Sequence, residues 1–258
     1  MFRYIRMKKG TMMNLIQTEL TESEQFDFDH IEGTDLVKLK RRNVLLAEAM
    51  IRNNSRYSGF RQKPSSNSSR DWFDKLSSFF KTYQPTDNPA YKETMKKYCR
   101  AINKENSTRL PSEYLDRLIE KIIEIDPETL SQYLRDPKDN KHNQERPYEL
   151  IKLLSENVAD NGKYCCRSFA SKFCHYTCFY LFDGLEEQDN YSNYDSVVRK
   201  TLPKYIKHFQ LKKRSQKSLE NYAVYQECID EIISHADDEI SRNGFDHLIW
   251  YYYKNKEI

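Results

Sequence analysis

Two side chains, Lys172 and Asp195, are the strongest candidates for chemistry in this sequence. Lys172 lies in Ser168–Phe182, whose apolar run predicts a buried helix with the lysine in its first turn. Asp195 precedes Ser-Val-Val-Arg-Lys-Thr-Leu and fits the N-cap of a second helix, where backbone N–H groups would keep it ionised. A desolvated amine is a nucleophile, and a fixed carboxylate stabilises developing positive charge. Such a pair suits cleavage of an N-glycosidic bond, in which the sugar acquires oxocarbenium character.

The segment between the two residues is long enough to bring them together. The helix from Lys172 to Phe182 spans about 15 Å at the usual rise per residue. The loop from Asp183 to Tyr194 reaches roughly 40 Å when extended, so it can return along the helix. Two simpler interpretations stay open: an ordinary helix cap for Asp195, and a surface lysine that packs its alkyl stem on the protein for Lys172.

The elements that position these residues are predicted to be helices. The chain has 258 residues, and its 19 Tyr offset a modest hydrophobic content of 38%, because each aromatic ring buries a large area. Six Gly and eight Pro are too few turn-forming residues for the many tight turns of a β-sandwich. The sequence therefore predicts an all-α fold.

Apolar spacing near 3.6 residues predicts the individual helices. Residues 1–70 are interpreted as an N-terminal arm with one helix and a polar linker, and residues 71–258 as one all-α domain. The aromatic C-terminus, Phe245 to Tyr253, is predicted to be a core helix. The predicted helices are Asp35–Asn53, Asp71–Lys81, Pro89–Asn103, Pro111–Ile125, Pro127–Leu134, Arg146–Asn157, Ser218–Ala236 and Asp238–Lys254.

Positive charge is concentrated between Arg199 and Lys217, although the net charge of the chain is only +3. This segment has no acidic residue and could neutralise phosphates of a nucleic acid. A solvated helix face and loop is the alternative. Its cations are Arg199, Lys200, Lys204, Lys207, Lys212, Lys213, Arg214 and Lys217, with His208 as a further candidate.

The six cysteines do not form a convincing metal site. Cys174, His175 and Cys178 lie within an aromatic helix, where small thiols pack well, whereas structural zinc ligands usually lie on knuckles or short turns. The cysteines are expected to be reduced, because the basic N-terminus lacks the apolar core of a signal peptide. No apolar run is long enough to span a membrane. We therefore expect a cytoplasmic protein with no metal, no cofactor and no membrane partner.

Two motifs give a family resemblance. Phe-Ala-Ser-Lys at 169–172 and Tyr-Asp-Ser-Val-Val-Arg-Lys at 194–200 resemble the catalytic core of helix-hairpin-helix DNA glycosylases, specifically the 8-oxoguanine glycosylase-like members. Asp195, Val198 and Arg199 match the aspartate, valine and arginine of that core. Uncharacterised bacterial and phage-associated proteins of this fold share both motifs and an Asp-x-x-x-Trp feature, here Asp246 to Trp250. The resemblance covers about residues 148–254 and implies the two-lobed helical glycosylase fold.

The sequence departs from the family in three places. The family hairpin is rich in glycine, which lets its amides approach a phosphate, but the matching segment here, from Asp160 to Arg167, has a single glycine. The family lysine lies a turn or two before Lys172, so Lys172 is a substitute nucleophile, a structural residue or neither. Tyr194 replaces the valine before the aspartate, either to stack on a base or to fill the core.

The resemblance implies a DNA-binding protein that excises a modified base in bacterial DNA repair or phage–host conflict. The alternative is a catalytically inactive module on the same fold, such as a defence sensor or inhibitor that binds nucleic acid or protein, with a protein partner contacting the N-terminal region. If the chain is a glycosylase, Asp195 and Lys172 are its catalytic residues. The nucleic-acid contacts would come from Lys163, Arg167, Tyr194, Arg199, Lys200, Lys204, Lys212, Lys213 and Arg214.

Overall fold

The computed structural model describes residues 27–53, 68–82, 88–105, 108, 110–138, 147–156 and 166–254. These residues form α-helices joined by loops, two short 3-10 helices (Glu186–Asp189 and Ser218–Glu220) and an isolated antiparallel bridge between His30 and Val37, with no strand among them. The predicted all-α class is confirmed. The helices are α1 Arg41–Asn53, α2 Ser69–Thr82, α3 Pro89–Glu105, α4 Ser112–Glu124, α5 Pro127–Arg135, α6 Glu149–Ser155, α7 Arg167–Leu181, α8 Ser196–His208, α9 Tyr222–Ile233 and α10 Arg242–Tyr253.

Side-chain caps fix several helix starts. Asp126 accepts a hydrogen bond from Thr129 N ahead of α5, whose first residue is Pro127. Asn221 caps α9, so the predicted helix over Ser218–Ala236 divides into a 3-10 turn and a shorter α-helix. Ser241 accepts from Gly244 N, so α10 begins after it rather than at Asp238. In each case the polar side chain satisfies amides that the first helical turn leaves unpaired.

The segment before α1 is not helical as predicted. Residues 36–39 are extended because three backbone groups bond to distant elements: Val37 N donates to Tyr253 Oη, Val37 O accepts from Tyr205 Oη, and Leu39 O accepts from Asp237 N. The helix therefore begins at Arg41. Tertiary contacts outweigh local propensity here.

Two groups of helices share the core. Helix α7 packs against α2, α3, α5 and α6, and its Phe169, Phe173, Cys174 and Cys178 are fully buried. Helix α10 packs against α1, α8 and α9. Leu36, Val37 and Ala47 belong to the same hydrophobic cluster as the C-terminal helices. The division at residue 70 and the two-lobed glycosylase arrangement stay predictions, and most of the arm and linker lies outside the described residues.

The aromatic C-terminus is an integral core helix, as predicted. Phe245, Leu248 and Ile249 are fully buried, and Tyr253 is nearly so. Gly244 lies so close to α1 that a Cβ atom there would approach Val44 Cγ1 to 2.9 Å. Within the residues that the structure describes, no helix is long and apolar enough to cross a membrane.

Candidate functional site

Lys172 is the sixth residue of α7, which begins at Arg167, so it lies in the second turn and not in the first turn predicted from the sequence. Its neighbours Ser171 and Phe173 are fully buried, and Lys172 is partly buried. Desolvation lowers the pKa of the Lys172 ammonium, while the negative charges of Asp195 and Asp246 raise it; the net shift is downward. Lys172 is therefore close to two carboxyl groups and is not a solvated surface lysine.

An extended segment, residues 191–195, carries Asp195 to α7. Tyr194 N donates a hydrogen bond to Ser171 Oγ at 2.8 Å. The residue before Asp195 is therefore hydrogen-bonded to the residue before Lys172. Earlier in the segment, His175 Nδ1 donates to Tyr191 O at 2.7 Å. Burial lowers the pKa of His175 to about 4, which keeps the imidazole neutral. These hydrogen bonds hold the chain at Asp195 alongside the part of α7 that carries Lys172.

Helix α9 holds the same segment from the other side. Tyr222 Oη donates to Ser192 O at 2.6 Å, and Tyr225 Oη donates to Asn193 O at 2.7 Å. Gln226 Oε1 accepts from Ser192 N at 3.2 Å. Since the two hydroxyl groups and Gln226 Oε1 are hydrogen-bonded to this buried segment, α9 as well as α7 fixes the loop that presents Asp195.

Asp195 is the N-cap of α8, as predicted. Its Oδ1 accepts from Val197 N at 2.7 Å, and its backbone is extended. The Asp195 carboxylate therefore lies at the positive end of α8, where it pairs a backbone N–H that the first turn leaves free. A cap alone would explain Asp195, but its charge also acts on Lys172 and Asp246.

Asp246 is a third member of the site that the sequence reasoning did not single out as functional. It lies in the first turns of α10, is 8% exposed, and its Oδ2 accepts from Asn193 Nδ2 at 3.1 Å. Burial, and then the charge of Asp195, raise its pKa to about 6, although His247, Asn193 and Lys172 act in the opposite direction. The available signals were the Asp-x-x-x-Trp feature and an acidic residue beside the apolar run that begins at Phe245.

Tyr194 lies between two arginines. The Arg167 and Arg199 guanidinium carbons are 5.2 Å and 5.7 Å from the centroid of its ring. The ring is 8% exposed and packs edge-on against Tyr225, so in this conformation it fills the core and does not offer a stacking face. The two guanidiniums therefore flank the residue that precedes Asp195, and Arg199 Nη1 also lies 3.6 Å from Glu220 Oε1.

The basic segment is only partly available for phosphates. Lys200, Lys212 and Lys213 are exposed, whereas Lys204 Nζ is 3.8 Å from Asp35 Oδ2. Arg214 forms a bidentate pair with Glu231, at 2.8 Å and 2.6 Å, and its side chain is 7% exposed. Glu231 occupies the guanidinium in this conformation, and the assignment of Arg214 as a phosphate contact stays a prediction. The acidic partner lies on α9, outside the segment that looked uniformly basic.

Lys163 and most of the hairpin segment lie outside the described residues. Cys174 and Cys178 are fully buried, and Cys178 Sγ donates to Leu134 O at 3.6 Å. Among the described residues no group of three His, Cys, Asp or Glu side chains is arranged to hold a metal ion.

Comparison of this chain with protein-family models, curated proteins and solved structures gave no match. The chemistry of the site therefore rests on its own geometry: an amine on α7, a helix-capping carboxylate at the end of the segment 191–195, and a buried carboxyl group on α10.

Proposed function

We propose that this chain is a DNA-binding protein of the glycosylase type, which excises a modified base through Lys172 and Asp195. The observation that carries the proposal is the partly buried position of Lys172 near Asp195 and Asp246. Burial lowers the pKa of its amine by more than the two carboxylates raise it. An amine with a lowered pKa is more often neutral, and only the neutral amine is nucleophilic.

The proposed reaction is a displacement at the sugar carbon that carries the base. The Lys172 nitrogen forms a bond to C1′, and the C1′–N bond breaks with its electron pair leaving on the base. The base takes up a proton, and the lysine nitrogen, now bonded to carbon, loses one. Asp195 stabilises the positive charge that develops on the sugar, and it needs no rearrangement because Val197 N already fixes its carboxylate.

Nucleic acid is the proposed partner because cations lie near Asp195 in sequence and on the neighbouring Tyr194. Arg167 and Arg199 flank the Tyr194 ring, although Arg199 Nη1 is also 3.6 Å from Glu220 Oε1, and Lys200, Lys212 and Lys213 are exposed. Such side chains displace counterions from phosphates and give affinity without reading sequence. Repair of bacterial DNA or conflict with a phage is the proposed setting.

One observation favours the alternative, an inactive nucleic-acid or protein-binding module. The hairpin segment from Asp160 to Arg167 has one glycine, whereas close approach of backbone amides to a phosphate usually needs several. The two proposals differ in whether any base is released.

The decisive experiment is a search for base release and for a covalent adduct. The wild-type chain would be incubated with duplex and single-stranded DNA that carries 8-oxoguanine, uracil, alkylated bases or phage-type hypermodified bases, with and without borohydride. We expect abasic sites from at least one substrate and a reduced protein–DNA adduct, because attack by an amine gives a Schiff base. Lys172→Ala should abolish the adduct.

The matched control is Lys75→Ala, which removes a lysine that contacts Trp72 on α2 and leaves Lys172 intact. It should retain the adduct. Absence of release from every substrate would leave the binding module as the function, and an adduct that persists in Lys172→Ala would place the nucleophile elsewhere.

The positive surface gives a second expectation. Replacing Lys212 and Lys213 with Glu should weaken DNA binding for all sequences and reduce the slope of log affinity against log salt, because fewer counterions are released. Fluorescence anisotropy at several salt concentrations measures both. The control is a double variant in which Lys81 and Lys92, which are exposed on α2 and α3, are replaced with Glu, so that the net charge changes by the same amount. Equal effects of the two double variants would argue against a localised DNA surface.

A further inference from the structure

Asp246 and Asn193 form a buried pair in which each side chain has an unpartnered oxygen. Asn193 Nδ2 donates to Asp246 Oδ2, and the two residues are 6% and 8% exposed. Asp246 Oδ1 and Asn193 Oδ1 are both buried, and neither has a hydrogen-bond partner. Unpaired buried polar atoms are uncommon in folded proteins, and two within one bonded pair need a shared explanation.

A single proton would satisfy both oxygens. An ionised carboxylate only accepts, so Asp246 Oδ1 and Asn193 Oδ1 are both acceptors without a donor. A neutral carboxyl group carries one O–H, which can donate from Asp246 Oδ1 to Asn193 Oδ1 while Asn193 Nδ2 continues to donate to Oδ2. An acid and an amide then exchange two hydrogen bonds, and no buried polar atom of the pair remains unpaired.

Lys172 is the nearby source of such a proton. Charged and titratable groups face Asp246 from each of the surrounding elements: Lys172 and Tyr176 from α7, Asp195 ahead of α8, Tyr225 from α9, and His247 on α10, which pairs with Glu48 of α1. Among them Lys172 is the group that must lose a proton before it can attack a sugar.

We propose that Asp246 accepts a proton from Lys172 and holds it as a neutral acid paired with Asn193. In this step an Nζ–H bond of the ammonium breaks, its electron pair stays on nitrogen, and an O–H bond forms at Asp246 Oδ1. The step leaves a neutral amine and an uncharged carboxyl group. Its catalytic consequence rests on the proposed function, whereas the proton exchange itself does not.

The direction of the pKa shifts agrees with this assignment. Burial raises the pKa of Asp246 to about 6 and lowers that of Lys172, so the two values approach each other. A smaller difference in pKa makes transfer of the proton less unfavourable. Asp195, fixed as a helix cap, is the proposed electrostatic partner of the developing charge. Two carboxyl groups with different environments can thereby divide the acid and the electrostatic roles.

The test is an NMR titration of the protein without DNA. The chain would be labelled with ¹³C-lysine, and the Lys172 Cε resonance identified by its absence from Lys172→Arg. Between pH 5 and pH 9 this resonance should show an inflection near pH 6, caused by Asp246, in addition to its own titration. Asp246→Asn should remove the inflection. A wild-type resonance with no inflection near pH 6, or an inflection that survives in Asp246→Asn, would overturn the proposal.

Asp195→Asn gives an independent check if Asp246→Asn does not fold. Because the charge of Asp195 raises the pKa of Asp246, its removal should move the inflection to lower pH. An inflection that does not move would show that another group causes it.

The titration of Asp246 also predicts how the stability of the folded protein changes with pH. The pKa of Asp246 is about 6 in the folded protein and has an ordinary value of 3.8. Folding therefore takes up a proton between these pH values, and the Asp246 contribution to stability declines as pH rises through about 6. The difference in unfolding midpoint between wild type and Asp246→Asn should change over this interval and be constant above pH 8. A difference that is constant from pH 4 to pH 8 contradicts the assignment.

Base release distinguishes this inference from the proposed function. If the wild-type protein shows the NMR inflection but releases no base, the proton exchange is supported and the glycosylase proposal fails. If the wild-type protein releases base but shows no inflection near pH 6, the glycosylase proposal is supported and the proposed role of Asp246 is refuted.

Discussion

Asp195→Asn is expected to slow base release on the order of a hundredfold or more while leaving the fold intact. The amide can still cap α8, since asparagine is as good an N-cap as aspartate. It has no charge, however, and removal of one fixed electrostatic partner of a transition state typically costs about that factor in rate. The variant also removes a charge that raises the pKa of Lys172, so its amine is neutral at a lower pH. A slower reaction could not then be attributed to a more protonated lysine.

Single-turnover rates of base release, on the substrate found for the wild-type protein, measure this effect. Asp126→Asn is the matched control, because Asp126 caps α5 through Thr129 N and carries the same substitution at another helix start. The control should release base at the wild-type rate. If Asp195→Asn is as fast as wild type, Asp195 is a structural cap and the proposed chemistry has no electrostatic partner.

Phe245→Ala should lower the free energy of unfolding by about 3–5 kcal/mol, which is the usual cost of truncating a buried aromatic side chain. Phe245 is fully buried at the start of α10, and the close packing of Gly244 on Val44 leaves α1 little freedom to fill the space. For a chain of this length the melting temperature should fall by roughly 10 °C. Deletion of Phe245–Tyr253 should abolish cooperative unfolding.

Thermal unfolding followed by circular dichroism measures both changes. Leu185→Ala is the control, because Leu185 is 57% exposed and its truncation should shift stability by at most about 0.5 kcal/mol. Equal effects of the two substitutions would mean that α10 does not contribute to the core as described.

The sequence alone determined those features that depend on local spacing. One apolar stripe repeats at the helical period and lies on α4, which buries five of its residues and leaves Tyr114 partly buried: Tyr114, Leu115, Leu118, Ile119, Ile122 and Ile123. Asp195 was recognisable as an N-cap because the cap is set by the residue type and the helix that follows it. The core position of Phe245–Tyr253 followed from an aromatic density that water would not tolerate.

Which groups come into contact depends on how the helices pack. Asp246 belongs to the site because α10 packs against α8 and α9 and thereby places its carboxyl group on Asn193, far away in sequence. Arg214 is withdrawn from the basic surface by Glu231 of α9, which no pattern within 199–217 reveals. Residues 36–39 are extended because Tyr205, Tyr253 and Asp237 bond to their backbone. Propensity and periodicity reflect interactions within a turn or two of helix, whereas desolvation and charge pairing depend on the partners that the complete fold supplies.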